Sequence, residues 1–470
     1  MASSPTSLTI RSYQVGFGDC FLLQFHYAGG DDRNMLIDFG TTGVPKLMKT
    51  KPSVLMPFVA TQIAKHCGRD DANDKPGKLH VLVATHRHQD HISGFATDES
   101  NGGSGKTIAA LMPDVVIQPW TEDPTAARTA KQAKSPVQKK IAGFRSGLEA
   151  MHGVAEAVSA FANRELAKAA AGKPAALSKR SLEKLRFVGE DNIKNPSAVK
   201  SLIDMGRGSG AQAVYVNYGM KLDAILQNAL PGVAVTVLGP PNLAQTDSIK
   251  TMARRDEIEF WHLISGPAKV AAGLPLANGL PKRTPRGAKV GADAHELPAQ
   301  ARWFARRLTA LRAAQVFEIV RSLDDQMNNT SVILLIEFGG RKLLFPGDAQ
   351  LENWRYALKE VGNGVEAKKN VERLADIDLY KVGHHGSLNA TPKKMLWGEL
   401  KKRGAAGPGR LLTILSTMPG KHPGGASGGG EVPRGKLLDA LEADTDLAST
   451  DALKKSAKFE NAAWFNTVEI

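Results

Sequence analysis

Thiols are almost absent: Cys20 and Cys67 are the only cysteines in 470 residues. Two are too few for a disulfide framework, and they lack the paired spacing of a thiolate zinc site. Any metal chemistry must therefore come from histidine and carboxylate. No apolar run is long enough to span a bilayer, and the opening MASSPTSLTIRSYQVGFGDC has no basic stretch followed by an apolar one. A cytoplasmic chain without a membrane partner is expected on those grounds. No repeat of fixed period is present, which excludes solenoids and propellers. Acidic residues are the minority, 47 against 61 lysines and arginines, giving a formal charge of +14 and a pI near 9.6. A surface of that sign attracts polyanions such as nucleic acid, although net charge also serves solubility alone. With 42% hydrophobic and 23% charged residues, the balance is that of an ordinary globular protein, and the length would suit about three domains of ~150 residues.

Short β-branched or apolar runs bounded by Gly, Pro and Asp recur near both ends: SLTIRSYQV, CFLLQFHY, NMLIDFG, LHVLVATH, DVVIQP, VAVTVLGPP, TSVILLIEFGG, RKLLFPGD, LYKVGHHG and LLTILST. They predict strands, and EFGGRKLLF predicts a hairpin turning on Gly339 and Gly340. Between these blocks the composition changes. Residues 124–231 are rich in Ala, Lys, Leu and Glu, with Met151, Val154, Val158 and Phe161 at helical spacing. This predicts a helical, basic insertion whose apolar stripe is packing. A second insertion, 242–325, reads as a long loop followed by the amphipathic helix AQARWFARRLTALRAAQVFEIVRSL. The expected core is then split over 1–123, a strand within 232–241, and 326–470, the last part containing the Gly-rich GKHPGGASGGGEVPRGK and the C-terminal segment.

The densest chemistry lies in THRHQDH, where a short apolar strand delivers Thr85 to a turn carrying His86, His88, Asp90 and His91. Alternation along an extended segment places His86 and His88 on one side, and the following turn swings Asp90 and His91 toward a second position. Imidazole with carboxylate suits zinc, manganese or iron. One ion does not easily take all four groups, so two adjacent sites are expected. LLFPGDAQ supplies Asp348 just after a strand, and LYKVGHHGS supplies His384 and His385 at the end of another. Of twelve histidines, five fall in these two motifs and a sixth, His422, in GKHPGG. SNGGSGKT is not a phosphate loop, because the pattern requires glycine where Ser100 stands; NGGSGK is expected to be a flexible loop.

The order LIDFG, THRHQDH, FPGDA, KVGHHGS resembles the metallo-β-lactamase superfamily. Within it, QVGFGDCFLLQF, the NNTSV strand, YKVGHHGSLNAT and the late KHP are similar to the branch that includes the hydrolase domain of the bacterial competence DNA-uptake channel. The resemblance covers about half of the chain, outside both insertions. It implies an α/β fold, an αββα sandwich that the two mainly helical insertions read above would interrupt, and two divalent cations, zinc first and manganese as the alternative. It also implies that His86 and His88 hold the first ion, Asp90 and His91 the second, that Asp348 bridges, and that His384 completes the second site. Asp38 would orient ligand imidazoles. Many members place another histidine just before the GD strand; this chain has Asn328 and Asn329, weaker donors that leave the first site more open or favour manganese.

Two such ions activate a water and polarise a phosphoryl or carbonyl oxygen. Asp90 sets the charge and coordination of that centre, while His385 and His422 are candidates for contacting the transferred group or protonating the leaving oxygen. Substrate is less well marked. RTAKQAKSPVQKKIAGFR carries Lys131, Lys134, Lys139 and Lys140 without an acidic residue, a segment able to track a nucleic-acid backbone or to form a solvated helix face. The reading is a metal-dependent phosphodiesterase or nuclease acting on nucleic acid. The alternatives are a hydrolase of small esters, lactones or phosphoesters, and a partner-dependent effector subunit that docks a protein through its insertions.

Overall fold

The computed structural model describes residues 4–30, 32–44, 50–126, 135–173, 195–250, 256, 258–261, 323, 325–404, 407–418, 432–451, 460–461 and 465–470, with isolated positions between 174 and 194. It divides into two units, one formed by 1–124, 195–263 and 328–470, the other by 125–194 and 264–327.

The first unit is an α/β sandwich of two mixed sheets. Its opening strands β1 (Ser7–Tyr13), β2 (Cys20–His26) and β3 (Arg33–Phe39) form an antiparallel meander. Three parallel strands extend it: β4 (Val81–Val83), β5 (Val115–Pro119) and β6 (Gln212–Val216). The second sheet repeats the pattern. Antiparallel β7 (Ala234–Gly239), β8 (Ile333–Phe338) and β9 (Arg341–Phe345) lead into parallel β10 (Leu379–Lys381), β11 (Leu412–Leu415) and β12 (Asp446–Ser449). The C-terminal strands β13 (Glu460–Asn461) and β14 (Phe465–Glu469) close the first sheet beside β1, giving eight strands against six. Gly339 and Gly340, at φ 50° and 78°, make the expected hairpin turn between β8 and β9.

Alternation along the strands decides the layers. Leu8, Ile10, Phe21, Leu23 and Phe25 of the first sheet share one cluster with Leu334, Ile336, Leu343, Phe345 and Ile414 of the second, so these faces pack together. Phe21 meets Phe345 and Phe25 meets Phe338 edge to face, at centroid separations of 5.8 and 5.5 Å. The intervening residues Leu22, Leu36, Leu82 and Val116 face outward onto α1 (Pro52–His66), α3 (Ser104–Ala109) and α5 (Pro196–Gly206). On the other outer face Leu335, Leu344 and Tyr380 carry α6 (Leu351–Arg355), α7 (Val365–Ala375) and α8 (Gly435–Asp444) through Trp354, Leu374, Leu437 and Leu441. α2 (Gln89–Ile92) is the single turn that follows β4.

Several expectations need correction. Residues 195–231 lie in the core unit, not in the first insertion: Leu202 and Met205 of α5 pack on the outer face, and Val214 and Val216 of β6 lie between the sheets. The described residues among 242–263 also stay with the core, where Phe260 and Trp261 join the cluster around Trp354. NGGSGK is not simply a loop, because Ser104 begins α3 and Gly105 lies against the Phe95 carbonyl. In the second unit α4 (Pro136–Ala170) runs for 35 residues behind a Ser135 cap whose hydroxyl accepts from the Gln138 amide. Of the apolar stripe expected there, Val158 is buried while Met151, Val154 and Phe161 are half-buried; Leu148, His152, Ala155 and Ala162 take the inner positions. Among the described residues no helix is long and apolar enough to cross a membrane.

Candidate metal centre

β3, β4, β9, β10 and β11 all deliver their C-terminal ends to one edge of the sandwich, the usual place for a ligand site in α/β sheets. Asp38 lies at the end of β3, the Thr85–His91 turn follows β4, Asp348 follows β9, Lys381 ends β10, His384 and His385 follow it, and Ser416 follows β11. Asp19 enters from the turn before β2. The side chains of Asp19, Asp38, His86, His88, Asp90, His91, Asp348, Lys381 and His385 are all buried.

Backbone packing fixes the histidine turn. Gly40, one residue beyond β3, leaves no room for a side chain: a Cβ there would stand 2.5 Å from the Asp90 carbonyl carbon and the His91 nitrogen. Gly347, at φ 54°, lies against Thr85, whose Cβ an added methyl would approach to 2.9 Å. The Asp19 amide donates to the Asp90 carbonyl at 2.9 Å, and the Val332 amide to the Thr85 carbonyl at 2.9 Å.

Asp38 is saturated as an acceptor. Its Oδ1 takes the Thr85 amide at 2.7 Å, and its Oδ2 takes the Thr85 hydroxyl at 2.7 Å and His91 Nδ1 at 2.8 Å. His91 therefore carries its proton on Nδ1, and its Nε2 faces Asp348 Oδ2 at 3.1 Å and Asp90 Oδ2 at 3.9 Å. His385 repeats the arrangement. Nδ1 donates to the Ser416 carbonyl at 2.9 Å, while Nε2 faces Asp90 Oδ2 at 3.0 Å and Asp348 Oδ2 at 3.9 Å. His86 Nε2 and His88 Nδ1 converge to 2.9 Å, close to the about 3.3 Å that separates two nitrogens bound at ~2.0–2.1 Å to one tetrahedral ion.

Electrostatics follow from this crowding. Burial opposes a charge on His91, yet Asp348, Asp90 and Asp38 outweigh it and lift its pKa well above the ordinary imidazole value. His385 is raised in the same way, against burial, by Asp19, Asp348 and Asp90. Burial pushes His86 well below that value, with His91 and His88 adding to the effect. Burial also disfavours the Asp348 and Asp90 carboxylates, but the surrounding imidazoles hold both well below the usual range. Asp38 is pushed up by burial in spite of His91. Lys381 stays charged, because Asp19 and Asp348 offset its burial.

The donor set fits divalent cations. Asp90, His91, Asp348 and His385 each offer one atom within 4.8 Å of the others; Asp19, Asp38 and His91 are as close, but there His91 Nδ1 is taken up by Asp38. Asp90 Oδ1 and both oxygens of Asp348 are buried without a well-formed hydrogen bond. Without a cation, a lone pair on His91 or His385 Nε2 would point at a carboxylate, so protons must stand where cations would.

Two neighbours differ from expectation. His385, expected to contact substrate, is fully buried and closes the group with Asp90. His384, expected to complete that group, keeps a side chain 21% exposed with Nε2 3.7 Å from Asp348 Oδ2. The cause is local: both residues are left-handed, at φ 44° and 51°, which turns successive side chains in different directions. Two such residues cost roughly 1–3 kcal/mol each and persist where surroundings over-determine them. Asn328 and Asn329 are fully buried at the start of the segment that leads to β8, with the Asn353 amide donating to the Asn329 carbonyl at 3.2 Å. Lys139 and Lys140 are exposed on α4; Lys131, Lys134 and His422 lie outside the described residues, as do Arg302, Trp303 and their neighbours. Asp19, Lys381 and Ser416 escaped the sequence reading. The signal for Asp19 was its place after Gly16 and Gly18 in VGFGDC, and for Lys381 a charge at the end of an otherwise apolar strand.

Neither a protein-family model nor a curated protein matches the chain.

Proton occupancy of His91 and His385 gives a pH signature. A raised imidazole pKa contributes stability that is whole below the ordinary ~6.5 and is lost as pH rises through the raised value; lowered carboxylates lose theirs in acid. The ion-free protein should therefore melt several degrees lower at about pH 9 than at about pH 6. Mn²⁺ or Zn²⁺ should remove that alkaline loss, because a cation then occupies the imidazole lone pairs. Thermal melts with EDTA and with Mn²⁺ across this range check it, and parallel curves would count against the assignment.

Proposed function

We propose that the chain is a metal-dependent hydrolase of the metallo-β-lactamase superfamily, with a centre for two divalent cations, zinc or manganese, and a phosphodiester of nucleic acid as substrate. The observation that carries this reading is the crowding of imidazole nitrogens and carboxylates into one buried group. His91 and His385 each commit one ring nitrogen to a fixed acceptor and turn the other onto Asp348 and Asp90. Both second nitrogens are aimed at carboxylates, so that a divalent cation could take the place of the proton between them. The paired mixed sheets with helices outside, and a centre at their strand ends, support the αββα resemblance drawn from THRHQDH, FPGDA and KVGHHGS.

In this reading His86 and His88 would hold one cation and Asp90, His91 and His385 the other, with Asp348 within reach of both groups. Bound there, divalent cations would polarise a phosphoryl oxygen and bring the pKa of a water toward ~7. The chain's own residues orient and exclude. Asp38 and Thr85 lock the His91 ring, the Ser416 carbonyl locks His385, and Phe17 covers the His385 face at a centroid distance of 4.4 Å. His384, the most exposed imidazole of the group, is placed to meet the substrate.

Basic charge supports a polyanion as substrate. The test incubates purified protein with labelled single- and double-stranded DNA and RNA and Mn²⁺ or Zn²⁺. Cation-dependent cleavage is expected, lost in Asp90→Ala, with KM rising steeply between about 50 and 200 mM salt as phosphate contacts are screened. Absence of cleavage, or equal cleavage by Asp90→Ala, would reject the reading; a salt-independent KM on a small ester would replace nucleic acid by a small substrate.

A further inference from the structure

Lys381 is the one lysine of the described core buried to 1%. Its ammonium is paired with Asp19 Oδ2, approaches the Gly347 carbonyl at 3.4 Å, and stands 3.9 Å from Asp348 Oδ1. Asp348 is thereby used unequally. Its Oδ2 faces nitrogens of His86, His91, His384 and His385, whereas its Oδ1 faces Lys381. A buried lysine–carboxylate pair is a weak source of stability, and apolar residues of similar volume often serve a fold as well or better. Its place in the centre calls for another explanation.

Charge supplies one. Four buried carboxylates, Asp19, Asp38, Asp90 and Asp348, stand against the single ammonium of Lys381. With neutral imidazoles their formal charge is −3, which two divalent cations turn to +1. Without Lys381 the loaded centre would be neutral. A residual +1 is matched by a monoanion, the charge of one phosphodiester group, and gives nothing to a neutral ester.

We propose that Lys381 is a fixed cation of the centre, anchored by Asp19, which weakens cation binding so that the loaded centre stays positive toward a monoanionic phosphodiester. The proposal rests on the two-cation reading and assigns Lys381 and Asp19 as positioning and charge-setting residues, not as groups that touch the reacting atoms. It predicts a sign that a packing role would not produce. Loss of a merely structural side chain loosens a site and weakens its ions; loss of a repelling charge tightens them.

Calorimetric titration with Mn²⁺ tests this on the full chain. Lys381→Met should bind Mn²⁺ at least about tenfold more tightly than wild type, and Asp19→Asn about tenfold more weakly. The double variant, which removes both charges, should return close to wild type. In Mn²⁺-loaded protein, Lys381→Met should bind dimethyl phosphate at least about tenfold more weakly, while Lys381→Arg retains it. A folded Lys381→Met with Mn²⁺ affinity equal to or weaker than wild type overturns the proposal. If that variant does not fold, Asp19→Asn and the double variant decide, and equal Mn²⁺ affinity in Asp19→Asn and wild type overturns it. Failure of the wild type to bind Mn²⁺ would instead remove the two-cation reading beneath it.

Discussion

Asp348→Ala should reduce the cation content from two per chain to at most one and slow nucleic-acid cleavage by at least about a thousandfold, some 4 kcal/mol of barrier. The expectation comes from one atom. Asp348 Oδ2 lies 3.1 Å from His91 Nε2, 3.7 Å from His384 Nε2, 3.9 Å from His385 Nε2 and 4.0 Å from His86 Nε2, and among the described residues no other carboxylate reaches all four. Removing it takes away the group common to both halves of the centre. It also removes the largest influence raising the His91 pKa, so the alkaline loss of stability in the ion-free protein should shrink in the same variant. Elemental analysis, cleavage kinetics and pH-dependent melts read the three effects separately. Retention of two cations by Asp348→Ala would remove the bridging role.

The second large effect is on folding. Asp38→Ala should destabilise the ion-free protein by about 3–5 kcal/mol, the range for leaving one member of a buried charged network without its partner. Asp38 accepts from the Thr85 amide, the Thr85 hydroxyl and His91 Nδ1. Its loss strands a backbone donor and an imidazole in an interior that water does not reach. Asp38→Asn keeps the size, but its amide nitrogen must face one of these donors, so only part of the stability should return. Denaturant melts order the three proteins as wild type, Asn, Ala. An Ala variant within about 1 kcal/mol of wild type would mean that Asp38 is not the anchor of the histidine turn.

Much of the frame is legible because alternation and turn chemistry agree. CFLLQFH and VILLIEF carry apolar side chains on both faces, as strands covered on both sides must, and Gly339–Gly340 could hardly be other than a tight hairpin. Each run read as a strand contains one. QAVYV was lost inside an Ala- and Lys-rich stretch, and DLAS and FNTVE are short and polar enough to resemble loops; these become strands by pairing with β5, β11 and β1, partners remote in sequence. The end of the first insertion is not legible for the same reason, since composition registers helix propensity but not which face of α5 is covered.

In the candidate centre, THRHQDH and the GD and HH motifs mark residues that the fold does bring together, because histidine clustering is rare without cause. The exchange between His384 and His385 was not legible, as it depends on two left-handed φ angles. Nor were Asp19 and Lys381, whose meaning arises only when the turn before β2 and the end of β10 meet. A lone aspartate beside glycine and a lone lysine at a strand end read individually as surface residues.

The most direct test of the centre is anomalous diffraction from crystals soaked in Mn²⁺, recorded near the manganese edge. Two peaks are expected near Asp348, one bounded by His86 and His88 and the other by Asp90, His91 and His385. Crystals that bind Mn²⁺ only elsewhere, with His91 and His385 still turned onto bare carboxylates, would contradict the two-cation reading.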